Sequence, residues 1–204
     1  LNNPDEIVYD YFRDTNASFE AFKAGLYDAR PESDPARWVA GFDFTAVQKG
    51  DVRKLAFKPQ TPSGMRAFVF NTRRPVFQEK KVREALIYAF DFEWVNKNLF
   101  YGAYERVQSY YDGSELSSHG RPASEKEKAL LAPYMDAVDP AVLANGYQAP
   151  VSDGSGRNRE NRRKAIMLLQ DAGWTLQDGQ MKNAKGEPLS FEILVSSPDD
   201  ERLA

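Results

Sequence analysis

The side chains able to do chemistry are few in type. There is one histidine, His119, in a Ser-Ser-His-Gly loop, and no cysteine. A solitary histidine among serines reads first as a solvated side chain and only second as a ligand or catalyst. Without thiols there is no disulfide, no cysteine-based zinc site and no thiol nucleophile. No serine or threonine sits in a nucleophile elbow, and neither G-x-G-x-x-G nor a phosphate loop is present. Carboxylates are abundant, so a pair that hydrolyses a glycosidic bond stays open, but abundance alone does not indicate one. Arg157, Arg159, Arg162, Arg163 and Lys164 form a basic run that could hold an anion; the plainer reading is a solvated helix face. The aromatic set Trp94, Phe100, Tyr101, Tyr104, Tyr110 and Tyr111 has more to offer. Part of it must be core, yet phenols crowding a loop give apolar contact together with a hydrogen bond at the edge of a cleft. Tyr101 and Tyr104 are the ligand-lining candidates of that set.

The elements that would position these residues centre on Met65–Asn71 and the sequence after it. Met65, Ala67 and Val69 alternate with Phe68 and Phe70, so both faces of the predicted strand are apolar, the pattern of a strand covered on two sides. Pro75 ends any pairing. From Glu79 the period becomes helical, with Val82, Ala85, Leu86, Ala89 and Phe90 on one face. Asp91 caps a second helix ending near Gly102. Ahead of this core stretch, Ile7–Phe12 reads as a strand. Asp14 to Leu26 reads as a capped helix with Phe19, Ala21, Phe22 and Leu26 buried and Gly25 as its stop. Asp43–Lys49 gives one helical turn, and Val52–Lys58 a strand with Leu55 and Phe57 inward, closed by Pro59. Behind it, Ser124 and Glu127 form a capping box whose helix must stop near Pro133. The stretch around Pro140, Gly146 and Pro150 reads as irregular. Arg159–Ala172 is a helix with Ala165, Ile166, Leu168, Leu169 and Ala172 buried and Gly173 as its terminator. Leu176–Met181 and Leu189–Val195 read as strands set off by Asp178-Gly179 and Lys185-Gly186 turns.

Charge and composition narrow the class further. With 27 basic and 30 acidic residues among 204, the formal charge is −3, which argues against a general binder of the phosphate backbone. Thirteen phenylalanines and a 42% hydrophobic fraction suffice for a packed core. No apolar run reaches membrane-spanning length.

The stretch from Phe70 to Asp91, FNTRRPVFQEKKVREALIYAFD, resembles the signature of family 5 extracellular solute-binding proteins, the receptors of peptide-type ABC importers. The match lies at Phe70, Asn71, Thr72, Pro75, Phe77, Val82, Arg83, Ala85, Leu86, Ala89 and Asp91. The continuation from Phe92 to Gly102 resembles the YejA-type branch, and Met167-Leu168-Leu169 with Ala172-Gly173-Trp174 resembles a further family element. A single proline, and Gln-Glu after Phe77 where the family usually has Asp, depart from the pattern. The resemblance implies a two-lobed, periplasmic-binding-protein-like α/β fold of type II, with mixed sheets covered by helices, of which this chain is an internal fragment. Residues 1–64 would belong to the first lobe, 65–72 would cross between lobes, and 73–204 would begin the second. It implies an exported, periplasmic, monomeric, non-enzymatic receptor without cofactor or metal. Such a receptor captures an oligopeptide or peptide-like solute and hands it to the permease subunits of an ABC transporter, with no nucleic acid involved. Phe68, Phe70 and Asn71 would then border the cleft. Arg66 and Arg73 become candidates for holding a carboxylate, since a guanidinium offers paired donors. The family's acidic anchor for a peptide amino terminus is expected beyond Ala204. Two other classes remain beside this one: a carboxylate-based hydrolase, and a module that binds only a protein partner.

Overall fold

The computed structural model describes residues 4–57, 61–62 and 64–195. The chain divides into two compact units, Leu1–Phe57 and Lys58–Ala204. In the first, helix α1 (Thr15–Lys23) starts at Asp14, whose carboxylate accepts from the N–H groups of Asn16 and Ala17 at 2.9 and 2.8 Å. It ends at Gly25 in the left-handed region, φ 74°, where Leu26 N–H reaches back to the Ala21 carbonyl. Phe19 and Phe22 pack edge-on against Phe42, and Tyr27, Trp38, Phe44, Val47 and Val52 close the cluster. A π-helical turn (Arg37–Gly41) and helix α2 (Thr45–Lys49) carry the later members. Arg30 and Arg37 lie over the Phe19 ring and share the buried Glu32 carboxylate at 3.2 and 3.6 Å.

The second unit is built on a helix pair. Helix α3 (Pro75–Gln78) turns directly into α4 (Lys80–Ala89), and α5 (Phe92–Leu99) follows after Asp91. Val82 (0% exposed) and Ala85 of α4 pack on Ala165 and Leu169 of α8 (Arg159–Asp171). Facing alanines let the two helices approach closely, and Leu86, Tyr88, Leu168, Trp174, Met181 and Leu189 seal the rim. Helices α6 (Glu125–Leu131) and α7 (Pro140–Asn145) come between α5 and α8 in the chain. Ser124 and Glu127 form the reciprocal cap at α6, and the chain tightens to a 3-10 turn (Ala132–Tyr134) at Pro133. After α8, Gly173 at φ 86° lets Trp174 N–H return to the Leu169 carbonyl. Strands β1 (Thr175–Gln177) and β2 (Gln180–Lys182) then form a hairpin, Leu176 facing Met181. Its two-residue turn, Asp178-Gly179, has both φ values positive (51° and 79°), as the right-handed strand twist demands.

Several expectations are corrected. The described residues form helices and one two-stranded sheet, not mixed sheets. Ile7–Phe12, Val52–Phe57, Met65–Phe70 and Leu189–Val195 make no ladder. Tyr11 is 93% exposed, Phe57 83%, Val69 89% and Leu194 99%, so neither Leu55 nor Phe57 points inward and the 65–70 stretch is not covered on two sides. The alternation was read correctly as a pattern, but a strand exists only where a partner supplies a ladder of hydrogen bonds, and among the described residues these stretches have single contacts at most, such as Leu189 N–H to the Met181 carbonyl at 2.7 Å. Lys58 and Pro59, where the second of these segments was expected to end and close, lie outside the described residues. Leu26 is exposed because it lies past the end of α1, beyond Gly25, and Ile166 because it sits at the margin of the buried stripe of α8. The stretch taken as irregular holds α7, started by Asp139 accepting from Ala141 N–H at 2.9 Å with Pro140 in first position.

Candidate functional site

Phe77 is held by its own helix junction. Arg83 Nη1 donates to the carbonyls of Phe77 and Gln78 at 2.6 and 2.8 Å, satisfying the exposed end of α3. Around the buried Phe77 ring stand Phe70 at 5.2 Å and Phe191 at 5.3 Å. Phe68 meets Phe90 at 6.0 Å, edge to face. Phe68 and Phe70 therefore turn to one side, as their spacing of two predicts, while Val69 points away from it. At the end of this segment Asn71 forms a turn. Its Oδ1 accepts from Arg73 N–H and Nε at 3.2 and 3.3 Å, and its carbonyl accepts from Arg74 N–H at 2.9 Å. Asn71 and Arg73 are exposed and engage each other, and Arg66 is exposed on the same approach.

Tyr101 and Tyr104 lie at the other end of α5. The Asn96 side chain clamps the Tyr104 backbone, donating to its carbonyl at 2.6 Å and accepting from its N–H at 3.1 Å. Tyr101 takes a left-handed φ of 55°, and Gly102 N–H bonds back to Asn96. Tyr104 stands edge-on to Phe100 at 5.0 Å, and both tyrosines remain exposed. Among the described residues, no ring contact or hydrogen bond joins Tyr101 or Tyr104 to Phe68, Phe70, Asn71 or Arg73. The candidates thus fall into two groups, Phe68, Phe70, Asn71 and Arg73 around α3 and Phe90, and Tyr101 and Tyr104 after α5.

Sequence reasoning missed what lies between them. Asp91 caps α5 through Trp94 N–H at 3.0 Å, as expected, but the same Oδ1 also accepts the Ser152 hydroxyl. Glu93 accepts from Ser152 N–H at 2.9 Å, and Gly154 and Gly156 pass against Glu93 and the Trp94 ring. The 151–157 loop is so fastened to the start of α5 that a side chain at Gly156 would fall 2.9 Å from the indole. Arg106 lies over the rings of Phe90 and Phe92 at 5.8 and 5.7 Å and donates to the Pro150 carbonyl at 2.5 Å. Nothing in the local sequence marks Ser152 or Arg106, because both act across more than forty residues of chain. His119 is exposed, with its Nε2 3.4 Å from Gln108 Nε2. The basic run sits on the exposed face of α8 beside an open depression where Asp153 and Glu160 alternate with Arg157 and Arg159; Lys164 covers the Tyr88 ring at 5.0 Å. Among the described residues no group of three or more acidic or imidazole side chains could hold a metal. What this surface offers a solute is aromatic area with guanidinium and amide donors at its edges.

The sequence pattern of bacterial extracellular solute-binding proteins, family 5 Middle, matches residues 1–204. The chain belongs to this family. Membership carries with it a periplasmic-binding-protein-like fold. A Brucella melitensis protein, whose name says that it binds without saying what, is 47% identical over 204 residues, covering 100% of this chain and 33% of the relative. The peptidoglycan-binding protein YepA of Agrobacterium fabrum is 41% identical over 211 residues, covering 100% and 34%. A second A. fabrum protein, named "Probable peptide-binding protein YejA", is 42% identical over 205 residues, covering 99% and 33%. The chain therefore spans about a third of the length of these family members. The match to the family pattern over the whole chain bears out the resemblance read from Phe70–Asp91, and the relative named YejA bears out the YejA-type continuation. No described helix is long and apolar enough to cross a membrane.

Proposed function

We propose that the protein is the substrate-binding component of an ABC importer. It captures oligopeptides or peptide-like solutes between two lobes and delivers them to a membrane permease from the periplasmic side. The observation that carries this reading is the family match along all 204 residues, joined to relatives named for binding peptide and peptidoglycan. Residues 1–64 would contribute to the first lobe, 65–72 to the crossing and 73–204 to the second lobe. Phe68, Phe70 and Asn71, with Arg66, Arg73, Tyr101 and Tyr104, would border the solute.

No bond need be made or broken for this task. Aromatic faces cover the apolar parts of a solute, guanidinium and amide groups meet its polar ends, and closure of the lobes excludes water. Peptides of varied side chain are accommodated when the donors address the backbone and termini, while water fills the remaining space. A thermal-shift series on the full-length protein with di- to pentapeptide pools tests the reading. A pool at about a hundred times its Kd adds roughly 2.7 kcal/mol of stability, a shift of several degrees. No shift with any pool, accompanied by turnover of a polysaccharide, would transfer the protein to the hydrolases.

A further inference from the structure

We propose that Arg106 is a carboxylate-binding side chain of the solute site, and that the group it takes is the free C-terminal carboxylate of a peptide-like solute. Arg106 is half-buried, yet it forms no ion pair among the described residues. The other partly buried guanidinium groups are engaged. Arg30 and Arg37 share Glu32, and Arg83 is held by two carbonyls. Of the five N–H donors that a guanidinium presents, Arg106 directs one bond, from Nη1 to the Pro150 carbonyl.

Its position prepares the remaining edge. Cation–π contact with Phe90 and Phe92 holds the guanidinium, while its donors other than the one bonded to Pro150 have no hydrogen-bond partner among the described residues and can meet a bidentate acceptor. A cation taken out of bulk water without a counter-charge is unfavourable, so the site gains when an anion arrives. The second ring contact of Phe90 is Phe68, in the segment assigned to the cleft, so Arg106 stands one ring away from it. Tyr147 is within electrostatic reach. Burial raises the pKa of its phenol against the pull of Arg106, with Tyr88 and Glu84 adding to the rise, so the hydroxyl stays a neutral donor. Of the carboxylates in this neighbourhood, Glu84 pairs with Lys80 at 3.4 Å, Glu93 accepts from Ser152 N–H, and Asp91 accepts from Trp94 N–H and the Ser152 hydroxyl; none forms an ion pair with Arg106.

The inference rests on the solute-capture reading, and the test separates the two. Full-length wild-type protein is titrated calorimetrically with Ala-Ala-Ala, its C-terminal amide, and the amide of Ala-Glu-Ala. The free acid is expected to bind at least about tenfold more tightly than either amide. In Arg106→Met that preference disappears, through loss of affinity for the free acid; Arg106→Lys, which keeps the charge and loses the fork, retains part of it and serves if the methionine variant does not fold. Equal affinity of acid and amide for wild type, or a preference that survives in Arg106→Met, overturns the assignment while solute capture stands. Tighter binding of Ala-Glu-Ala amide than Ala-Ala-Ala overturns the terminal carboxylate as the group. Binding of none of the three overturns solute capture for short peptides, and the assignment falls with it.

Discussion

Asp112 shows how single residues are set by their neighbours. Burial pushes its carboxyl pKa up, but the Gln108 N–H, the Ser117 hydroxyl and the Ser109 backbone, with His119 nearby, outweigh this and hold it below the ordinary 3.8. The bonds from Gln108 and Ser117 are 2.6 and 2.7 Å. A folded-state pKa below the unfolded one means stability that is complete above the unfolded value and is lost as pH falls through the folded one. Unfolding free energies of wild type and Asp112→Asn, measured from pH 7 to 2, are expected to differ most near neutrality and to converge below about 3.8. A difference independent of pH would refute this role. The same loop explains His119, whose exposed ring borders Gln108 and not a site. Asn71 and Arg73 were legible as polar residues after a strand-like run, but their mutual hydrogen bond was not, because a turn is a property of four residues together.

At the scale of elements, helices were read well because their signals are local. Asp14, Asp91 and Ser124 cap the helices they precede, and Gly25, Gly50 and Gly173 take left-handed φ where helices end. The face of α4 named from periodicity holds at Val82 and Ala85; Ala89 at its far end is exposed, since α8 does not extend over it. That helix pair is the centre of the second unit. Val82→Ala removes two methyl groups from a site closed to water and is expected to cost about 2–3 kcal/mol in denaturant unfolding. Ile166→Ala, one position after buried Ala165, is expected to cost under about 1 kcal/mol, for its side chain already meets solvent. Equal losses at the two positions would contradict the packing described. Strands fared worse. Among the described residues a ladder forms only around Asp178-Gly179, where the turn splits the stretch read as one strand, Leu176–Met181, between two short strands that pair with each other two residues apart.

For the whole molecule, the four unladdered apolar segments are the informative feature. Ile7–Phe12, Val52–Phe57, Met65–Phe70 and Leu189–Val195 keep strand composition while exposing large side chains. The matched relatives are about three times as long, which leaves ample polypeptide to pair with them. In a protein of that length, amide hydrogen exchange at these four segments is expected to slow at least about a hundredfold relative to the isolated 204-residue chain, while exchange within α4 and α8 changes little. Unchanged exchange at all four segments would show that their alternation has no structural use. An apolar segment without a partner also tends to recruit one from another chain, so the isolated chain should aggregate more readily than the longer protein.

The amino-acid sequence determined the helices, their caps and stops, the hairpin turn and the family signature, since each is written within a few neighbouring residues. It also determined what the chain lacks as chemistry: no thiol, one imidazole, no phosphate loop. The tertiary structure alone decided that Phe77 gathers Phe70 and Phe191, that Ser152 is tied to the start of α5, and that Arg106 lies on two phenylalanine rings with no carboxylate partner among the described residues. These contacts join residues far apart in the chain, and hydrophobic periodicity specifies which face is buried but not which distant side chain will meet it.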